Sequence, residues 1–263
     1  MVCPDRPATL ARPRPRAAGA CRYVLLLLLL WLGSSLLMGQ RYPWIVVMDP
    51  GHGGDDYGIR AGQGSFEKDV TLLVVRDFQQ ILSANPALDV VLTRETDREI
   101  PLRERAIQAN NLSADLFISI HCAFSNRRVD QGFIIYYFQP EDAQLSAFHE
   151  LRSANGRQDL RLVPWDLAQL PSAPASRDLA TRMQNALNRM HGKYSGSPVG
   201  EQLELLSKVA CPAVIIECCF LTNSEDERQI MDPFYRRRYA EALRDSIMDF
   251  LTTRQYSVSG RQP

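Results

Sequence analysis

Five continuous apolar runs, at residues 44–48, 88–92, 115–120, 132–138 and 213–217, constrain the fold of this chain more than any other feature. They are rich in β-branched and aromatic residues, and several do not alternate with polar ones, which is the pattern of strands covered on both faces. Helical spacing fills the gaps. Val70, Leu73, Val74, Phe78 and Ile81 recur at helical intervals between Glu67 and Leu82, with Ser65 as the expected N-cap and Asn85-Pro86 as the stop. Leu179, Met183, Leu187 and Met190 form a second apolar face, and Ser224-Glu225-Asp226-Glu227 reads as a capping box that opens the carboxyl-terminal helices. Strand and helix in alternation predict a single-domain α/β sandwich with a mostly parallel central sheet flanked by helices. A chain of 263 residues, 45% of them hydrophobic, can fill one such core, and no repeat of fixed period divides it.

Chemistry in such sheets gathers where strands give way to loops at their carboxyl ends. Trp44-Ile45-Val46-Val47-Met48 runs into Asp49-Pro50-Gly51-His52-Gly53, so His52 emerges at that edge. Glu67 opens the next helix, His121 ends the strand Leu116-Phe117-Ile118-Ser119-Ile120, and Glu217 ends Ala213-Val214-Ile215-Ile216. Two imidazoles and a carboxylate form a catalytic zinc set with an open fourth position, and the remaining glutamate is a candidate base for the attacking water. Gly51, Gly53 and Gly54 lack the spacing of a phosphate-binding loop, so close backbone approach to the metal is expected of them. Asp49 has two readings, orienting a ligand imidazole or closing the turn. Arg94 and Arg105 read as structural, paired with acids such as Asp97, and His149 and His191 as ordinary surface histidines.

The stretches Met48-Asp49-Pro50-Gly51-His52-Gly53-Gly54-Asp55 with Phe66-Glu67-Lys68, Leu92-Thr93-Arg94 with Asp97, Leu102 and Arg105, Ala114-Asp115-Leu116-Phe117-Ile118-Ser119-Ile120-His121, and Pro212-Ala213-Val214-Ile215-Ile216-Glu217 with Phe220-Leu221-Thr222-Asn223 resemble the zinc-dependent N-acetylmuramoyl-L-alanine amidases of bacterial cell walls. The similarity runs from about Trp44 to about Phe250, in the family's order and near its spacing. The resemblance implies one zinc ion on His52, Glu67 and His121, a catalytic Glu217, and hydrolysis of the amide between N-acetylmuramic acid and the L-alanine of the peptidoglycan stem. The sequence departs from the family pattern at Ala123, where the family usually has Asn, and at Cys219, where it usually has Gly. Two other classes compete with this reading: a zinc amidase or peptidase acting on a different amide, and a non-catalytic wall-binding or regulatory protein on an amidase scaffold. Retention of all four site residues argues against the second.

Thirty basic and thirty acidic residues cancel, and nothing points to nucleic acid. The charge is uneven, however. Arg6, Arg12, Arg14, Arg16 and Arg22 precede an apolar run from Tyr23 to Met38, so residues 1–39 read as an export signal or an uncleaved membrane anchor, the run being shorter than the ~20 residues a spanning helix prefers. The catalytic domain is expected over 40–257, facing an oxidising space outside the inner membrane such as the periplasm, with a mobile tail at 258–263. Any contact with membrane lies in the amino-terminal segment, and the sequence leaves protein activators open. In that space Cys122 is open to a disulfide with Cys218 or Cys219, although four buried free thiols, Cys211 included, is the preferred expectation. Residues 139–174 exceed a simple connection and read either as a lid or wall over the zinc or as a surface elaboration.

Overall fold

The computed structural model describes residues 43–62, 64–154, 164–192 and 196–259. The expected amino-terminal export segment lies outside the described residues. The six strands are β1 (Trp44–Pro50), β2 (Leu88–Leu92), β3 (Leu116–Ala123), β4 (Ile134–Phe138), β5 (Val199–Glu201) and β6 (Ala213–Phe220). They form one sheet in the order β2-β1-β3-β6-β4-β5. All neighbours are parallel except β4 and β6, which run antiparallel. Sequence reading missed β5, which is three residues long and has no apolar run to announce it.

Alternation along each strand divides the core between the two faces of the sheet. Val46, Met48, Leu116, Ile118, Ile120, Val214 and Ile216 point to one side, where they meet α1 (Glu67–Leu82), α4 (Ala173–His191) and α7 (Pro233–Ser259). Val47, Phe117, Phe138 and Ala213 point to the other, toward α2 (Leu102–Asn111), α3 (Asp142–Ala154) and the short α5 (Glu204–Ser207). The result is the three-layer sandwich expected from the continuous apolar runs, since strands covered on both faces have no polar side to alternate. Helix α6 (Ser224–Met231) follows β6 directly.

Several local expectations are corrected. Helix α1 is entered through Phe66, with no side-chain cap, rather than Ser65, although its bounds, Glu67–Leu82, are those expected. Asn223, not Ser224, caps α6, accepting from the N–H groups of Glu225 and Asp226. Helix α7 continues to Ser259, into the stretch expected as a mobile tail, and residues 260–263 lie outside the described set. Within 139–174, Phe148, Leu167 and Leu170 are buried in the second cluster beside Phe117 and Phe138, so the described parts of this stretch pack on the sheet. No helix among the described residues is long and apolar enough to cross a membrane.

Candidate metal centre and catalytic site

The chain leaves β1 through Pro50 and turns at His52, whose φ of 59° is a left-handed conformation that costs a non-glycine residue free energy. A buried arginine holds the turn. Arg105 donates to the carbonyls of Pro50 and His52 at 2.7 Å each, and to Oδ1 of Asp49 at 2.7 Å. Asp49 accepts further bonds from Thr93 and Ser119 and is fully buried, so it closes the turn and braces the floor; its carboxylate bonds are to these three residues. Arg94 likewise donates to the carbonyls of Pro50, Gly51 and Lys68. Both arginines are structural, as expected, but their partners differ. Asp97 pairs with Lys68 at 2.8 Å, and Arg105 pairs with Asp49.

Gly51 is required by close approach, since a Cβ there would stand 2.3 Å from Cε1 of His121. Gly53 and Gly54 clear the backbone at Arg98 and Glu99 instead, a packing role rather than the approach to a metal expected from sequence.

Glu67, the first residue of α1, is only 2% exposed. Its Oε1 lies 3.1 Å from Nε2 of His52 and 3.2 Å from Nδ1 of His121, and accepts from the N–H of Cys122 at 2.9 Å. Oε2 accepts from the N–H of Ile59 at 3.0 Å. The two imidazole rings meet edge to face with centroids 5.0 Å apart. One ligand atom from each of His52, Glu67 and His121 lies within 4.8 Å of the other two, a spacing that can hold a metal ion. Asp56 bonds Nδ1 of His52 at 2.8 Å and so turns Nε2 inward, the orienting role that carboxylates play behind ligand histidines. Sequence reasoning missed Asp56, because an acid four residues after a loop histidine is too common to stand out.

Electrostatics matches this convergence. Burial opposes charge on Glu67, but the bonds to His121 and His52 outweigh it and hold the carboxyl well below the usual carboxylate range. Burial likewise pulls His52 down, and Glu67 with Asp56 overcomes it, leaving the imidazole above its ordinary value. The Glu67 carboxylate is thus held negative between the two rings, and the donor set of two nitrogens and one oxygen fits a divalent ion of zinc's kind.

Sheet register sets Glu217 directly opposite His121. Burial pushes its carboxyl above the usual range, with His121 pulling down and Glu67 pushing up. The Tyr136 phenol hydrogen-bonds Glu217 and is itself pushed up to about 12, chiefly by burial and then by the charge of Glu217. Tyr136 is a second residue that sequence reasoning passed over, hidden inside an apolar strand.

A different trio, Cys122, Cys218 and Cys219, also converges closely enough for a metal. All four described cysteines are free thiols, with Sγ of Cys122 and Cys219 3.7 Å apart. The trio is buried in the apolar cluster, where three thiolates and a divalent cation would leave net charge in a dry core. His149 is exposed as expected. His191 is not an ordinary surface residue: it is half-buried among Phe133, Tyr235 and Tyr239.

Comparison with known proteins identifies the family and the fold. The family model described as N-acetylmuramoyl-L-alanine amidase matches residues 46–249, a range that includes every residue of the site. The N-acetylmuramoyl-L-alanine amidase AmiA of Escherichia coli K12 is 30% identical over 220 residues, covering 78% of this chain and 75% of AmiA. The crystal structure of an N-acetylmuramoyl-L-alanine amidase from Clostridium difficile 630 superposes with a TM-score of 0.65 at 26% identity, covering 81% of this chain and 98% of that one. AmiC2 of Nostoc punctiforme gives 0.62 at 25% identity, with 81% and 99% covered. With the sheet, its carboxyl-edge cluster and these matches in agreement, the chain belongs to the N-acetylmuramoyl-L-alanine amidase family.

Proposed function

We propose that this protein is a zinc-dependent peptidoglycan amidase that hydrolyses the bond between the lactyl carbonyl of N-acetylmuramic acid and the amino group of L-alanine. The observation that carries the reading is the convergence of His52, Glu67 and His121 within 4.8 Å beside a half-buried Glu217. His52, Glu67 and His121 hold the metal, and Asp56 keeps the His52 ring in register. When bound there, zinc would lower the pKa of water toward neutrality and polarise the amide carbonyl. Glu217 takes the proton of the attacking water and returns it to the departing amine, a role suited to a carboxyl whose proton affinity is raised by burial. Peptidoglycan as substrate implies export, which the arginine-flanked apolar run at 23–38 supports.

Replacing Glu217 by Gln tests the division of labour, because the amide keeps the volume but cannot carry the proton. The variant is expected to bind zinc at wild-type stoichiometry, to retain affinity for muropeptides, and to turn over at least ~100-fold more slowly. Alanine at His52, Glu67 or His121 is expected to lose metal and activity together. Zinc lost from Glu217→Gln would make Glu217 a ligand, and near-normal turnover would move the base elsewhere. Mass spectrometry of the products from sacculi separates this amide from any other, since only the proposed cut exposes the amine of L-alanine.

A further inference from the structure

At the edge of the sheet that carries the metal group lies a cavity of about 500 Å³ lined by residues from the loops after β1, β3 and β6. Arg60 comes from the loop between β1 and α1. In that loop Ile59 donates to Glu67, and Gly58 packs so closely that a Cβ would stand 2.8 Å from the His52 ring. Phe124 and Arg128 come from the loop after β3, three and seven residues beyond His121, and Thr222 from the loop that follows β6 and Glu217. The cavity is therefore built from the continuations of the segments that carry the site.

Two cationic side chains face this cavity. Arg127, in the same loop as Arg128, pairs with Asp130 at 2.8 Å, and Arg182, which lines another cavity between α4 and α7, pairs with Asp178 and Asp249. Neither Arg60 nor Arg128 forms an ion pair with a described residue, although the backbones of both are anchored, Arg60 by its bridge to Phe66 and Arg128 by a bond from Asn223 to its carbonyl. The acid in the lining, Glu227, is 2% exposed and already engaged. Two uncompensated guanidiniums on fixed backbones facing one cavity suit a carboxylate, which accepts from such planar donors with good geometry. Phe124 is 60% exposed at the mouth and offers an apolar surface to the ligand's aliphatic part.

We propose that this cavity is a carboxylate-binding subsite for the stem peptide, in which Arg60 and Arg128 read a free carboxylate close to the scissile amide. The proposal rests on the amidase reading above. Each residue of an extended peptide advances at most ~3.5 Å, so a carboxylate on the residue after L-alanine lies within roughly two residue lengths of the cut. That residue in a stem peptide is a glutamate joined through its side chain, whose backbone carboxylate is either free or amidated. The subsite thus discriminates between the two forms.

The test uses two soluble muropeptides identical except for a free acid or a carboxamide on that glutamate, with wild type and the Arg60→Gln/Arg128→Gln double variant. Circular dichroism and melting show whether the variant remains folded, as expected for two exposed side chains. The double variant should raise KM for the free acid at least ~10-fold, the loss of about one charge-assisted contact, with kcat nearly unchanged and the carboxamide hardly affected. Equal changes for both muropeptides, or none for either, would overturn the subsite. If wild type hydrolyses neither, the amidase reading fails, and calorimetry of free-acid binding to wild type and double variant decides the subsite alone. Equal affinities there would also overturn it.

Discussion

Asp49 shows how much a single residue's role depends on neighbours that are distant in sequence. Sequence left it between orienting an imidazole and closing the turn, because both readings use the same Asp-Pro-Gly-His string. The decision lies with Thr93, Ser119 and Arg105, which sit 44, 70 and 56 residues away and bond its two oxygens. The residues that converge, His52, Glu67 and His121, were legible as a group, since each stands where an apolar run or helix begins or ends. Asp56, which bonds His52, and Tyr136, which bonds Glu217, were not, because their contacts arise from side-chain direction in the folded state. Replacing Asp49 by Ala leaves the Arg105 guanidinium buried without its carboxylate, a change that costs about 3–5 kcal/mol. Urea denaturation should show a loss of that size, and the strained His52 turn should loosen, weakening zinc retention. A loss below ~1 kcal/mol with unchanged zinc affinity would mean that the backbone carbonyls alone hold Arg105 and the turn.

Among the elements, the sheet was read closely because continuous apolar strands can be buried only one way, and so were the bounds of α1, whereas the caps of α1 and α6 were missed by one residue. Helix ends depend on which side chain reaches the free N–H groups, and in α6 Asn223 does so where Ser224 offers the same chemistry one position later. Asn223 wins because it has a second use. Its Oδ1 accepts from Glu225 and Asp226 while its Nδ2 donates to the carbonyl of Arg128 at 2.8 Å, tying the start of α6 to the loop after β3. Asn223→Asp keeps the acceptor and loses the donor; Asn223→Ala loses both. Alanine should lower stability by about 1–2 kcal/mol, and aspartate by less. Both should raise hydrogen exchange in residues 124–128, because both free the Arg128 carbonyl. Exchange that rises only in the alanine variant would show that the cap, not the cross-link, holds that loop.

Across the whole molecule, the layer of α1, α4 and α7 makes stability depend on pH through a histidine that sequence assigned to the surface. His191 stands in the last turn of α4, where the helix dipole favours a charged ring. The structure surrounds it instead with Phe133 from the approach to β4 and with Tyr235 and Tyr239 of α7, and the Tyr235 phenol lies 3.1 Å from Nε2. Burial, reinforced by the nearby charge of Arg238, pushes the imidazole down to about 4 from the ordinary value of 6.5. The native state thus favours the neutral ring. Its contribution is fully present above pH 6.5, falls as acidification protonates the unfolded chain first, and is gone below about pH 4. A shift of this size corresponds to roughly 3 kcal/mol, which the ring's partial exposure reduces to about 1–2 kcal/mol. Urea denaturation of wild type and His191→Gln at pH 7.5, 5.5 and 4.5 isolates this contribution, because every other titrating group is common to both proteins. The stability advantage of wild type over the variant should shrink steadily between pH 7.5 and 4.5. A constant difference would mean that His191 titrates alike in the folded and unfolded chain, and that the aromatic contacts around it do not disfavour its charge.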